Sequence, residues 1–184
     1  MFKMPAALGL AYLLGSIPTA YIAGRLGRRI DIREHGSGNM GTMNTLLVIG
    51  WPAAILVLAV DVAKGAAAFY LGQWAGVNGL CAVIAAVIGH SYPLWLKFNG
   101  GKGLATALGG VVCTGALGSV LVFGCGWVTL ISLVRKNDPA VIFGLAILML
   151  YAYLIGPDWP LIVLGLVIAL RHVQVLVRGP LSGP

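Results

Sequence analysis

Residues 4–33 read MPAALGLAYLLGSIPTAYIAGRLGRRIDIR. The apolar run from Met4 to Gly24 is followed at once by Arg25, Arg28, Arg29 and Arg33. About 20 apolar residues are what the hydrocarbon core of a bilayer demands of one crossing helix. Basic residues crowded at one end of such a helix mark the end that stays in the cytoplasm. A cleavable leader would also start with a basic residue such as Lys3. It would end, however, in a small-x-small cleavage site, whereas this run ends in arginines. The segment reads as a retained first span with its N-terminus outside.

The rest of the chain agrees. Of 184 residues, 59% are apolar and 9% are charged, against roughly 25% charged in a soluble domain. A water-facing surface cannot be made from so few charges, which excludes a soluble enzyme. The wealth of apolar side chains excludes disorder. Further apolar runs cover about Leu46–Ala75, Gly79–Leu96, Leu104–Val134, Ala140–Ile155 and Trp159–Leu176. The run Leu104–Val134 is long enough for two short spans turning near Gly115–Gly118, making seven in all. In that arrangement Arg25, Arg28, Arg29, Arg33, Lys97, Lys102, Arg135, Lys136, Arg171 and Arg178 share the cytoplasmic side, Lys3 is outside and Lys64 lies within the membrane. The positive-inside bias therefore favours an odd number of crossings.

The expected architecture is an all-α integral membrane protein. It is a single domain over residues 1–184, a bundle of seven transmembrane helices with its C-terminus cytoplasmic. Topology also accounts for the formal charge of +7, so nucleic acid is not the expected partner. Twenty-seven glycines suit close helix contact in lipid. Cys81, Cys113 and Cys125 sit in apolar stretches without a C-x-x-C pair and read as core residues. No metal-ligand spacing and no cofactor motif is present.

Chemistry must then come from loops and helix ends, and three polar stretches reach one face. In the loop IDIREHGSGNMGTMN (30–44), Gly36-Ser37-Gly38-Asn39 could expose successive N–H groups to an anion, or form a plain interhelical turn. In KFNGGKG (97–103), Asn99-Gly100-Gly101-Lys102-Gly103 opens a helix. Free N–H groups, the positive helix end and the Lys102 ammonium would together favour phosphate. It is not a nucleotide P-loop, because Leu96 and Gly103 stand where glycine and Ser or Thr are required. His90 and His172, the latter beside Arg171, sit at helix ends near these loops, as hydrogen bonders or as bases. Asp61 and Lys64 lie one helical turn apart on the second span and could neutralise each other. Arg135, Lys136 and Asp138 make an interfacial turn with no distinctive pattern.

Together these pieces resemble the bacterial acyl-phosphate:glycerol-3-phosphate acyltransferase family, small seven-span enzymes of phospholipid synthesis. The likeness runs over almost the whole chain. It rests on Gly15-Ser16-Ile17-Pro18; on Asp31-Ile32-Arg33 with Gly36-Ser37-Gly38-Asn39, Gly41 and Asn44; and on Asp61-Val62 with Lys64-Gly65. It continues through Gly89-His90, Pro93 and Lys97-Phe98 into Gly100-Gly101-Lys102-Gly103 with Ala105-Thr106, and then Arg171-His172 with Arg178. The chain departs from the family's usual pattern at Thr42-Met43, at Leu47 (usually Arg), at Asn99 (usually Lys), around Asp138-Pro139-Ala140 (usually serine-rich) and at Val175 (usually Asn).

The resemblance implies transfer of a fatty acyl group from acyl phosphate to the 1-hydroxyl of glycerol 3-phosphate, giving lysophosphatidate and phosphate. It implies no cofactor, and a cytoplasmic-face site in the bacterial inner membrane. Carried over residue by residue, Arg33, Ser37, Gly38, Asn39, Lys97, Gly100, Gly101, Lys102, Gly103, Thr106 and Arg171 would bind substrate. His172, with His90 as the second candidate, would orient or deprotonate the hydroxyl, unless a substrate phosphate is the base. Leu47 and Val175 motivate the alternatives, a non-catalytic transporter or lipid-binding relative, or an acyltransferase with another acceptor.

Overall fold

A computed structural model of the protein describes residues 3–178. Within it the chain forms α1 (Lys3–Gly15), α2 (Thr19–Arg28), α3 (Thr42–Val48), α4 (Trp51–Trp74), α5 (Gly79–Ser91), α6 (Leu104–Cys113), α7 (Leu117–Val134), α8 (Asn137–Ile155) and α9 (Trp159–Arg178), with single 3-10 turns at Ile32–Glu34 and Leu94–Leu96. Six stretches of the described residues are long and apolar enough to cross a membrane: Lys3–Arg28, Trp51–Trp74, Gly79–Leu96, Leu117–Val134, Asn137–Ile155 and Trp159–Val177.

The region expected to hold two short spans divides unevenly. α6 has ten residues and is about 15 Å long, half a hydrocarbon core, whereas α7 has eighteen. The turn between them falls at Thr114–Ala116, where Gly115 adopts φ 75°. The expected second span is also shortened: Leu46 belongs to α3, and Gly50, at φ 120°, redirects the chain before α4 starts. The last but one begins at Asn137 rather than Ala140.

α4 packs against α1, α2, α3, α5 and α6, and α9 against α5 and α8. Glycines let these backbones approach. A Cβ on Gly65 of α4 would overlap the Thr106 carbonyl of α6, and one on Gly109 of α6 would overlap the Val62 carbonyl of α4. Val83, Val87, Val141, Leu145, Leu164 and Ile168 form the main core. Large apolar side chains also cover the outside, among them Leu26, Leu121 and Leu154, as a surface meeting lipid requires. Trp51 and Trp74 stand exposed at the two ends of α4, the interfacial position that tryptophan favours.

The first crossing is broken between Gly15 and Thr19. The Lys64 ammonium donates to the Ile17 carbonyl at 2.5 Å, to Thr19 Oγ1 at 2.6 Å and to Asp61 Oδ1 at 2.8 Å, and Thr19 donates to Asp61 at 3.2 Å. With side chains only 3% and 2% exposed, Lys64 and Asp61 are the mutually neutralising pair expected one helical turn apart. The ammonium also adds a second donor to the Ile17 carbonyl, which accepts the Thr19 N–H at 3.0 Å within the break.

Replacing Gly65 with Ala should lower the thermal unfolding midpoint in detergent by an amount corresponding to about 1–3 kcal/mol of overpacking. Gly9→Ala, whose Cβ would meet nothing within 4 Å, should leave the midpoint unchanged. Equal midpoints for both variants would refute the close α4–α6 approach.

Candidate active site

The glycine-rich stretch before α6 is held from both sides. The N–H groups of Gly100 and Gly101 donate to the carbonyls of Ser91 and His90, each at 3.1 Å. Their own carbonyls accept from Arg171, Nη2 to Gly100 at 2.9 Å and Nε to Gly101 at 3.1 Å. The guanidinium lies over the Tyr92 ring at 4.9 Å, and the Tyr92 hydroxyl donates to Gln174 Oε1 at 2.5 Å. A Cβ on Gly100 would overlap the His90 carbonyl, and one on Gly101 the His90 ring. The expectation that Gly100 and Gly101 offer free N–H groups to an anion is therefore corrected. These glycines are needed for closeness, and their amides complete the end of α5. The part of the stretch that lines a cavity is Lys102 and Gly103, followed by the first turn of α6. Arg171, expected on substrate, is buried and positions the loop through its carbonyls.

The 30–44 loop is organised by Asn44. Its Nδ2 donates to the carbonyls of Ile32 at 3.3 Å and His35 at 3.0 Å, and its Oδ1 accepts the Ser37 N–H at 2.9 Å. Gly36 and Gly38 take φ 60° and 68° in the resulting turn. Arg33 donates twice to Asp31, at 3.0 and 2.7 Å, and once to the Leu96 carbonyl at 3.4 Å, so it ties this loop to the one before α6. The guanidinium hydrogen bonds of Arg33 hold the Asp31 carboxyl below its ordinary range. Asn39, Gly41, Thr42 and Met43 from this loop line the cavity. Ser37 is exposed, Gly38 is half-buried, and Lys97 is exposed, in the left-handed conformation at φ 53°; these three are not among the residues that line the cavity.

The cavity holds 370 Å³. One end presents Asn39, Lys102, His90 and His172; the other runs between α6, α7, α8 and α9 past Val111, Phe123, Leu148 and Leu161. Asp138, in the first turn of α8, accepts from the Lys102 ammonium and faces His172 Nδ1 at 2.8 Å, both on Oδ1. His172 Nε2 is buried without a hydrogen-bond partner. His90 Nδ1 lies 3.7 Å from Asp61 Oδ1. Thr106 is buried on α6 with its hydroxyl unpartnered. Lys102, Asn39, His90 and His172 thus come together, while Arg33 and Arg171 brace the loops. The sequence reading passed over Asp138. Its clue was topological, since the 135–138 turn was expected on the same face as Lys102 and His172. Leu47 is 75% exposed on α3 and Val175 half-buried on α9; the Arg178 side chain lies outside the described residues.

The profile of the glycerol-3-phosphate acyltransferase family matches residues 6–179. The chain belongs to this family. A glycerol-3-phosphate acyltransferase of Synechococcus sp. (strain JA-3-3Ab) is 41% identical over 183 residues, covering 95% of this chain and 89% of that protein. Glycerol-3-phosphate acyltransferase 2 of Dehalococcoides mccartyi (strain ATCC BAA-2266 / KCTC 15142 / 195) is 53% identical over 107 residues, 56% of this chain; there the chain spans about half the relative's length, 50%. The crystal structure of PlsY, an integral membrane glycerol 3-phosphate acyltransferase in its glycerol 3-phosphate form, superposes with a TM-score of 0.80 at 28% identity, covering 95% of this chain and 88% of that one. A lysophosphatidic acid form gives 0.76.

Two outcomes follow from how the loops are braced in this family member. Arg171→Lys keeps the charge but cannot supply two fixed donors to Gly100 and Gly101; hydrogen exchange at residues 98–103 should rise at least tenfold, and unchanged protection would refute the bracing. Because Asp31 titrates lower when folded, its contribution is complete above the ordinary value of about 3.9 and fades as pH falls through the lower folded value. The stability gap between wild type and Asp31→Asn, read as unfolding midpoints, should therefore narrow on going from about pH 5 to about pH 3. A constant gap would show that the Asp31 charge contributes nothing.

Proposed function

We propose that this chain transfers a fatty acyl group from acyl phosphate to the 1-hydroxyl of glycerol 3-phosphate, releasing phosphate and leaving lysophosphatidate in the bilayer. The observation that carries this reading is the two-ended cavity. A basic and hydrogen-bonding mouth at Lys102, Asn39 and His172 opens into an apolar interior between α6, α7, α8 and α9. That shape suits a substrate with a phosphate at one end and a hydrocarbon chain at the other. The names of the related proteins and the ligands of the PlsY crystal forms support the same acceptor.

The membrane arrangement belongs to the proposal: seven crossings with α6 as the short one, the N-terminus outside, and the site at the cytoplasmic face of a bacterial inner membrane. An interfacial site meets an acyl donor from the lipid side and a dianionic acceptor from water.

Acyl phosphate is already activated, so the protein needs to position the reactants and stabilise charge rather than supply a covalent nucleophile. The Lys102 ammonium has three donors. One goes to Asp138, which leaves two for phosphate oxygens at the open first turn of α6. Asn39, which lines the cavity, is a further phosphate contact, with Ser37 and Gly38 of the same loop as candidates and Lys97 drawing anions to the site. His172 orients the acceptor hydroxyl, with His90 deeper in the cavity as the second candidate.

Purified protein in lipid, given acyl phosphate and labelled glycerol 3-phosphate, should form labelled lysophosphatidate. Lys102→Ala should abolish that product while the detergent-solubilised protein still folds, and Lys102→Arg should recover little, because a planar fork does not replace a compact charge. Lys102→Ala activity within a few-fold of wild type would sink the phosphate seat.

A further inference from the structure

We infer that Asp138 is a specificity-determining residue that competes with phosphate for the Lys102 ammonium and keeps the affinity of the cavity for a bare phosphate low. The inference rests on the reading of Lys102 as the phosphate seat, and the competition it adds is tested separately from that reading.

Among the described residues, Lys102 is the one lysine or arginine that lines the cavity. The nearby arginines are directed elsewhere. Arg33 donates to Asp31 and to the Leu96 carbonyl, and Arg171 donates to the carbonyls of Gly100 and Gly101. Lys97 is exposed and outside the lining. A phosphate brought into the cavity therefore meets a single ammonium.

That ammonium already has an anion. Asp138 Oδ1 accepts from Lys102 Nζ, and the same oxygen lies 2.8 Å from His172 Nδ1. The two side chains of the ion pair are only 15% and 19% exposed, so water and salt screen it less than a surface pair. Asp138 is also held from its own side. It sits in the first turn of α8, where the helix dipole favours a carboxylate. Its neighbour Asn137 lines the cavity and accepts from Trp127 Nε1 at 3.2 Å. Other carboxylates are engaged away from Lys102: Asp31 with Arg33, Asp61 with Lys64, and Asp158 with the Leu161 N–H.

A phosphate carries nearly two negative charges at neutral pH. At Lys102 it must share one ammonium with a carboxylate that is already in hydrogen-bond contact with it. Two anions that close repel each other strongly where water is scarce. In the empty cavity the pairing spares Lys102 the cost of a part-buried, unpaired charge. On loading, the same carboxylate weakens the binding of every phosphate, and inorganic phosphate has nothing with which to offset the loss. A phosphate joined to a hydrocarbon tail offsets it by burying that tail past Val111, Phe123, Leu148 and Leu161. Asp138 thus keeps the seat open to amphipathic phosphates while free phosphate is present, and it lets inorganic phosphate leave.

The test uses inorganic phosphate as the probe and needs no turnover. The full chain in detergent, as wild type, Asp138→Asn, Asp138→Glu and Lys102→Ala, is titrated with phosphate at constant ionic strength while the unfolding midpoint is followed. Asp138→Asn should reach half of its maximal shift at a phosphate concentration at least about tenfold below that of wild type. Asp138→Glu, which restores the charge, should respond as wild type does. A purely structural role would lower the midpoint without phosphate and leave the titration in place, and that result would overturn the inference. So would an Asp138→Glu titration that coincides with Asp138→Asn. Asp138→Ser repeats the measurement should the Asn variant not fold, and failure of both to fold would overturn the inference by making Asp138 structural. Lys102→Ala separates the two readings. If it abolishes the response while Asp138→Asn is no more sensitive than wild type, the inference alone fails. If Lys102→Ala responds as wild type does, the phosphate seat fails and the inference falls with it.

Discussion

A backbone polar group inside a bundle in lipid has no water to turn to, so each interruption of a helix must find a partner on another part of the chain. This chain interrupts its helices repeatedly and at several of the breaks answers with a polar side chain. Lys64 of α4 reaches the Ile17 carbonyl where the first crossing breaks. Asn44 of α3 takes the carbonyls of Ile32 and His35. Arg33 takes that of Leu96, and Arg171 of α9 takes those of Gly100 and Gly101. Three charged residues, Lys64, Arg33 and Arg171, act in this way, and stabilising irregular backbone offsets part of the cost of bringing a charge into the bundle.

This bracing decides what the site can be. A glycine loop free to move could wrap an anion with its amides, but here the amides of Gly100 and Gly101 complete the end of α5. On the proposed function, phosphate would meet a fixed ammonium at the start of α6 rather than a glycine nest. A partly buried Lys102 with no counter-ion would be costly when substrate is absent. Asp138 lowers that cost and leaves two of the three ammonium donors available. Its second contact, to His172, couples the Lys102 ammonium to the imidazole across one carboxylate oxygen. Lysine position and ring orientation are therefore set by the same atom.

The fold was legible wherever it depended on composition and charge. Apolar runs located the long helices, while the shared cytoplasmic face expected for the arginines after Gly24 with Lys97, Lys102, Arg135 and Arg171 belongs to the proposed membrane arrangement. Internal breaks were less legible. Leu46 looked continuous with the following run, yet Gly50 separates a short α3 from α4, and an apolar interfacial turn carries the same composition as the span beside it. Histidines near glycine loops pointed to one candidate site, and Lys102, His90 and His172 do share a cavity. The roles of Arg33 and Arg171 were not legible, because an arginine beside a glycine loop binds an anion or its own backbone with the same donors. Asp138 was passed over because its importance comes from α8 meeting α6 and α9, and no local pattern encodes that meeting.

The departures at Leu47 and Val175 look different once placed. Leu47 is 75% exposed on the outer side of α3 and Val175 is only half-buried, so neither leaves a stranded charge or an emptied core position. The polar inventory of the mouth is instead concentrated on Lys102, Asp138, His172 and Asn39, at the boundary where the cavity turns from polar to apolar. On the proposed function, an acyl phosphate lying along that cavity would have its head-to-tail junction, the carbonyl carbon, near the polar end. Burial of the tail would then set the depth at which the reactive carbon rests, so that the hydrophobic effect would supply positioning that a soluble enzyme needs further polar contacts to achieve.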